Sequence, residues 1–356
     1  MRSRRVHAGG MTKRLTIILA ALAVALTAAT AAGAKSNDTT ITGAGSTFVA
    51  PLVSAWTPAL GHAFGYTIQY SAVGSGAGIA AITNHQVDFG ASDAPLNSAQ
   101  QSACPDCLQI PWALSAVSVF YNVPGAPVHV RLDGATISKI FLGQITNWND
   151  PAIAKLNPGG NFPNLKITPV FRSDGSGTSY AFTDYLSSVN QTWKSKIGVS
   201  TQPAFPAGVG AKGSSGVAGS VANTKGAIGY VDIAYAIANH LHFAAVKNAA
   251  GKFLYPSLRR IQAAALAFPK VPANNELHIV NPPKSAKLAY PISTYTYVIV
   301  RKNSTHAAEL RKMIFWALTT GQSSQFAAKL TFAKMSTVPK VLVAAEKTLK
   351  QIHSAA

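Results

Sequence analysis

Four times in this chain a short apolar run ends in a cluster of Gly, Ser, Thr or Asp and gives way to a helical pattern. The first cluster is Gly43-Ala44-Gly45-Ser46-Thr47, between the β-branched run 39–42 and the helically spaced Phe48, Leu52, Val53 and Trp56. The second is Gly74-Ser75-Gly76-Ala77-Gly78, after the alternating run 66–70 and before Ile79 and Ile82. In the third, Val87-Asp88-Phe89-Gly90 leads into Ala91-Ser92-Asp93-Ala94-Pro95-Leu96, which is expected to open a helix at Pro95. The fourth is Arg172-Ser173-Asp174-Gly175-Ser176-Gly177-Thr178-Ser179, after 167–171 and before Tyr180, Phe182, Tyr185, Leu186 and Val189. Strands alternating with helices predict an α/β fold with mostly parallel sheets. Ligands of such sheets bind beyond the carboxyl ends of the strands, where helix N-termini point. The first N–H groups of a helix lack internal partners and carry partial positive charge, so a small anion sits well there. The fourth turn adds a fixed cation, Arg172. The plainer alternative gives these residues local work only: Ser176 or Thr178 capping a helix, Asp93 capping the one at Pro95, and Arg172 pairing with Asp174.

The N-terminus does not belong to the fold. Arg2, Arg4, Arg5, Lys13 and Arg14 precede an alanine-rich apolar run, 15–32, and a small-residue cleavage site, Ala32-Gly33-Ala34. Residues 1–34 therefore read as a secretory signal peptide, with Met11 as an alternative start. No cysteine adjoins the cleavage site, so no lipid anchor is expected there. The remaining 322 residues are enough for two domains. No later run is apolar for long enough to span a membrane, and no stable membrane insertion is expected. The formal charge is +19, and the leader takes five positive charges and no negative ones with it, leaving +14. Only 12% of residues are charged, so the excess reflects scarce acid. Without a basic block no nucleic-acid partner is expected; the charge instead favours encounter with anions.

Cys104 and Cys107, in Cys-Pro-Asp-Cys, read as a local disulfide in an exported protein. A redox motif is the alternative, without a thioredoxin-like context around it. Farther on, 108–121 reads as a central strand near a domain crossing, 137–141 as a helix and 212–220 as a Gly/Ser loop. Gly208-Val209-Gly210-Ala211-Lys212-Gly213 matches G-x-G-x-x-G, but no clear strand precedes it, so it reads as a loop near the cleft. Residues 226–231 read as a strand followed by a helix over 233–238, and 295–300 as a strand. A helix over 307–319 is expected to place Leu310, Ile314, Phe315 and Leu318 on one face, and 338–352 to close the chain as a helix. The histidines are scattered, which supports no metal site, and the five tryptophans read as core or cleft lining.

Together Thr42-Gly43-Ala44-Gly45-Ser46-Thr47-Phe48, the run 87–96, the run 172–179 and Gly226-Ala227-Ile228-Gly229-Tyr230 closely resemble, in order, the periplasmic phosphate-binding proteins that serve ABC importers. Smaller matches are 153–158 and Pro291-Ile292-Ser293-Thr294. The resemblance implies an α/β, two-lobed periplasmic binding protein fold of type II. Two mixed, mostly parallel sheets would be flanked by helices, with the ligand cleft between lobes. Lobe I would be 35–113 plus 292–356, and lobe II 114–291. Carried over by position, Thr47, the amide of Phe48, and Ser75 would donate to phosphate; Asp93 would accept; Arg172, Ser176, Gly177 and Thr178 would complete the site, with Asp174 holding Arg172. The pattern departs at Gly76, where a second serine is expected. The resemblance further implies a periplasmic monomer that is not an enzyme, needs no cofactor or metal, and hands inorganic phosphate to ABC importer permease subunits with their ATPase.

The chemistry of the residues is consistent with this. Asp93 beside an anion repels it unless it accepts a hydrogen bond from a protonated oxygen, which phosphate offers near neutral pH and sulfate does not. The alternatives are a receptor for another tetrahedral oxyanion such as sulfate or molybdate, a secreted phosphohydrolase using Ser176 with Asp174, and an adhesin or nucleic-acid binder using the positive charge.

Overall fold

The computed structural model describes residues 39–355; the signal-peptide expectation, 1–34, lies outside them. The first elements are β1 (Thr39–Gly45), α1 (Ala50–Phe64), β2 (Tyr66–Ser71), α2 (Ser75–Thr83), β3 (Phe89–Ser92), α3 (Ser98–Ala103) and β4 (Cys107–Tyr121). Next come β5 (Arg131–Leu132), α4 (Gly134–Phe141), α5 (Pro151–Leu156), β6 (Thr168–Arg172), α6 (Gly177–Val189) and α7 (Gln191–Lys196). They are followed by β7 (Val209–Ala211), α8 (Gly213–Asn223), β8 (Ala227–Asp232), α9 (Ile233–Ala238), β9 (His242–Phe243), β10 (Ala245–Lys247), β11 (Phe253–Leu254) and α10 (Leu258–Leu266). The chain finishes with β12 (Ser293–Arg301), β13 (Asn303–Ser304), α11 (Ala307–Leu318), α12 (Pro339–Leu349) and β14 (His353–Ser354).

The main sheet has the order β2-β1-β3-β12-β4-β8-β6-β7, with β9 beside β4. Its outer strands are parallel, β2-β1-β3 on one flank and β8-β6-β7 on the other. The middle is antiparallel: β12 against β3 and β4, and β4 against β8. The mixed sheets expected from the sequence thus share one strand. Residues 107–116 of β4 pair with β12, and 117–121 pair with β8. A run buried from Gln109 to Tyr121 can do this because both its faces are covered along its length. The four turns sit at the carboxyl ends of β1, β2, β3 and β6, as the sequence predicts. The parallel flanks aim those ends at the middle of the sheet.

Trp56, Trp112, Trp148 and Trp193 are fully buried and Trp316 nearly so, which makes them core. Trp56 meets Trp112 edge-on at 5.3 Å on the first flank, and Phe182 stacks on Tyr230 at 4.1 Å on the second. Cys104 and Cys107 form a disulfide where α3 joins β4.

Three expectations are corrected. Residues 213–223 form helix α8, preceded by strand β7, where a loop was expected. Their small residues lower intrinsic helicity, but they let α8 pack closely on the sheet, where Val217 and Val221 lie over Gly229. The helix expected at Pro95 begins at Ser98 instead. Asn97 and Gln100 form its capping box, so Asp93 is not an N-cap. Phe315 lies off the buried face of α11 and is 51% exposed, while Met313 and Ala317 join Leu310 and Ile314 inside.

Candidate functional site

The turn after β1 is organised by Ser46. Its hydroxyl oxygen accepts the N–H of Phe48 at 3.0 Å and of Val49 at 3.3 Å, and its proton goes to Asp93 Oδ1 at 2.5 Å. The amide of Phe48 therefore bonds to Ser46. Thr47 reaches across the sheet: its Oγ1 accepts the N–H of Ser214 at 3.1 Å and lies 2.8 Å from Ser214 Oγ. The Tyr235 hydroxyl donates to Thr47 O at 2.6 Å. Ser75, at the first position of α2, accepts from Asp93 N at 3.3 Å and from Gly177 N at 3.0 Å, and its hydroxyl is 3.5 Å from Asp93 Oδ2.

Opposite these stands the turn between β6 and α6. Arg172, 3% exposed, gives Nε to Asp174 Oδ1 at 2.7 Å and Nη2 to Asp174 Oδ2. One edge of the guanidinium is thus taken by Asp174. The other, formed by Nη1 and the second N–H of Nη2, remains for an anion, with Nη1 3.5 Å from Ser214 Oγ. Asp174 also accepts Gly213 N at 2.9 Å. Ser176 caps α6 by accepting Ser179 N at 3.1 Å. Thr178 is fully buried, and its Oγ1 has no hydrogen-bond partner among the described residues. Such a group costs about 1–3 kcal/mol unless something bonds to it. Gly177 is sterically required, because a Cβ there would lie 2.6 Å from Asp93 N.

The sequence-predicted residues lie on facing turns, Thr47, Phe48, Ser75 and Asp93 on one side, Arg172, Asp174, Ser176, Gly177 and Thr178 on the other; the Phe48 amide, expected to donate to the anion, donates to Ser46. Ser46 and Ser214 were missed. Ser46 stood inside the quoted motif without a role, and Ser214 was hidden in the segment read as a loop. Tyr235 was missed too; it follows a predicted strand but carries no local signal.

The two carboxylates are tuned oppositely. Burial pushes Asp93 up to about 6, against the Ser46 hydrogen bond and the Arg172 charge. Burial also acts on Asp174, but its bonds to Arg172, that residue's charge and the Gly213 amide outweigh it, so Asp174 sits below the usual range. With Asp174 turned to Arg172 and Gly213, and Ser176 turned to Ser179, the two do not form a nucleophile and base. Among the described residues, no group of three or more His, Cys, Asp or Glu is placed to hold a metal. None of their helices is long and apolar enough to cross a membrane.

This geometry has relatives. A PBP superfamily domain is recognised over residues 30–319. The chain is 39% identical to the phosphate-binding protein PstS of Xylella fastidiosa, over 81% of this chain and 80% of that one. It is 34% identical to the PstS of Haemophilus influenzae, over 84% and 90%. The chain belongs to the PstS family. Solved structures agree on the fold. A phosphate-binding protein from Stenotrophomonas maltophilia superposes with a TM-score of 0.64 at 22% identity, covering 86% of this chain and 93% of that one. A putative phosphate ABC transporter substrate-binding protein from Clostridium perfringens, with bound phosphate, gives 0.61 at 20% identity over 83% and 99%. The likeness to both is one of fold, and the middle of this chain's sheet, where β4 passes between flanks, is where it gathers its site.

Proposed function

We propose that this PstS-family chain captures inorganic phosphate between the two flanks of its sheet and delivers it to the permease subunits and ATPase of an ABC importer. The observation that carries the reading is Asp93. It is a buried carboxylate, 2% exposed, set among donors that converge on one place: Thr47, Ser75, the Arg172 edge, the start of α6 and the unpartnered hydroxyl of Thr178. An all-donor cradle would suit any oxyanion. A carboxylate within it asks for an anion that brings its own proton, which favours phosphate over sulfate and molybdate. Hydrogen bonds to a charged group contribute about 1.5–3 kcal/mol each, so a dehydrated, fully bonded phosphate is held tightly.

The two flanks are the two lobes of this reading. The register of β4 supports a crossing at Ala116 and Val117, slightly beyond the expected 113/114. On the return crossing, Gln109 bonds Asn274 and Asn275, so part of the segment before β12 belongs with the first lobe. Direct bonds join the lobes beside the site: Gly76 N to Gly175 O at 3.0 Å, Gly177 N to Ser75 Oγ at 3.0 Å, and Tyr235 to Thr47. These bonds support reading this arrangement as a closed form. An anion contacting both sides stabilises it by its differential affinity, and the importer would read that shape. The reading includes export to the periplasm by the leader and action as a monomer. It is tested by calorimetric titration of ligand-stripped protein with phosphate and then sulfate at matched ionic strength. Tight phosphate binding with sulfate ignored is expected; absence of phosphate binding in folded protein refutes the reading.

A further inference from the structure

Ser46 is ordered on three sides. A hydroxyl has two lone pairs and one proton. The lone pairs of Ser46 take the N–H groups of Phe48 and Val49, at the entry to α1, so the proton goes to Asp93 Oδ1 at 2.5 Å. Oδ1 is therefore an acceptor, and a proton on Asp93 has to sit on Oδ2. The same bond relays two amide dipoles at a helix entry into the carboxylate, which favours its ionised form. Ser75 is ordered alike: with Asp93 N and Gly177 N on its lone pairs, its proton is free for the anion or for Oδ2 at 3.5 Å. Oδ2 is the oxygen left to receive an O–H from a ligand.

We propose that Ser46 is a positioning residue for oxyanion selectivity: it fixes Asp93 as an ionised acceptor with Oδ2 toward the ligand, and thereby sets the acidity at which an unprotonated oxyanion such as sulfate is admitted. This rests on the oxyanion-binding reading above. The groups acting on Asp93 come from several elements. Arg172 on β6, Ser75 on α2 and Thr296 on β12 favour the ionised form. Tyr70 on β2, Tyr235 on α9 and Asp232 on β8 are also in its electrostatic reach, and burial raises all three, which disfavours further negative charge beside Asp93. Burial already brings Asp93 to about 6 with Ser46 in place. Without the Ser46 proton, Asp93 would protonate at a higher pH, and a protonated Oδ2 donates to sulfate where an ionised one repels it.

The test compares wild type with Ser46→Ala, Ser46→Cys and Ser46→Thr. Carboxyl 13C NMR of aspartate-labelled, ligand-free protein gives the Asp93 titration midpoint, assigned with Asp93→Asn. Ser46→Ala is expected to raise the midpoint by about one unit. At pH 7 that takes the protonated fraction from about one in eleven to about one half, so sulfate competes with phosphate about fivefold better. Ser46→Thr, which keeps the hydroxyl, restores the wild-type midpoint and selectivity. Should the alanine variant not fold, Ser46→Cys, with its weak donor, reads the same shift. An unchanged midpoint and unchanged sulfate competition overturn the role of Ser46. Wild type that binds neither oxyanion overturns the functional reading and with it the selectivity role, while the midpoint still reports whether Ser46 acts on Asp93.

Discussion

Asp93 and Asp174 are the same side chain at facing positions of one site, and they behave as different reagents. Asp174 meets a guanidinium along a full edge and is held ionised. Asp93 is more deeply buried and meets a hydroxyl proton, with no cation in bonding contact, and it rises to about 6. Burial disfavours charge on both; the partner decides the outcome. One carboxylate is a structural brace for a cation, and the other is a proton acceptor near the edge of its range.

The contrast breaks most severely at Arg172. Arg172→Ala leaves Asp174 without its partner and takes the cation from the site. A stability loss of about 3–5 kcal/mol is expected from denaturant unfolding, with phosphate affinity lower by about thirtyfold to a few thousandfold in calorimetry.

The pH dependence of stability separates the two acids. Asp93 holds its proton more tightly folded than unfolded, so its contribution falls as pH rises from 3.8 to about 6, by about 3 kcal/mol in all. Asp174 releases its proton more readily folded, so its contribution rises with pH up to 3.8 and is lost as pH falls through its lowered value. In phosphate-free buffer, Asp93→Asn should reduce the decline above pH 4, to which buried Asp232 also contributes, and leave the acid limb, whereas Asp174→Asn should reduce the acid limb alone, which it shares with Asp88. A decline that is undiminished in Asp93→Asn contradicts the assignment.

Asp174→Asn sharpens the comparison further, because Arg172 keeps its place but loses its charged brace. A loss of about 1.5–3 kcal/mol in phosphate binding is expected, read by the same titration. The smallest effect is at Gly76. A Cβ there lies 3.3 Å from Gly175 Cα, so Gly76→Ser requires a shift of a few tenths of an ångström where the two sides meet. Stability within about 1 kcal/mol of wild type is expected from thermal unfolding.

Most of the site was legible because it depends on local chemistry repeated in order. Gly, Ser, Thr and Asp after a short apolar run announce a helix start, and four such starts announce a place for an anion. What escaped depends on contacts remote in sequence. The helix 213–223 lacks propensity of its own and is made by packing on the sheet, so Ser214 went unseen. Asp93 read as an acceptor with a helix cap as the alternative, and only the Asn97 cap of α3 removes that alternative. The Arg172–Asp174 pairing was expected; the contact of Arg172 Nη1 with Ser214, remote in sequence, was not.

Strand β12 is central to the first flank, between β3 and β4, yet it leaves the ribosome long after both of its neighbours. Until it arrives, β3 and β4 lack the strand that joins them, and the first flank cannot finish its sheet. Closing so long a loop is entropically costly and slow compared with local hairpins. A chain threaded in this way stays unfinished until nearly all of it has been made, so an early truncation leaves two half-sheets without the strand that would join them.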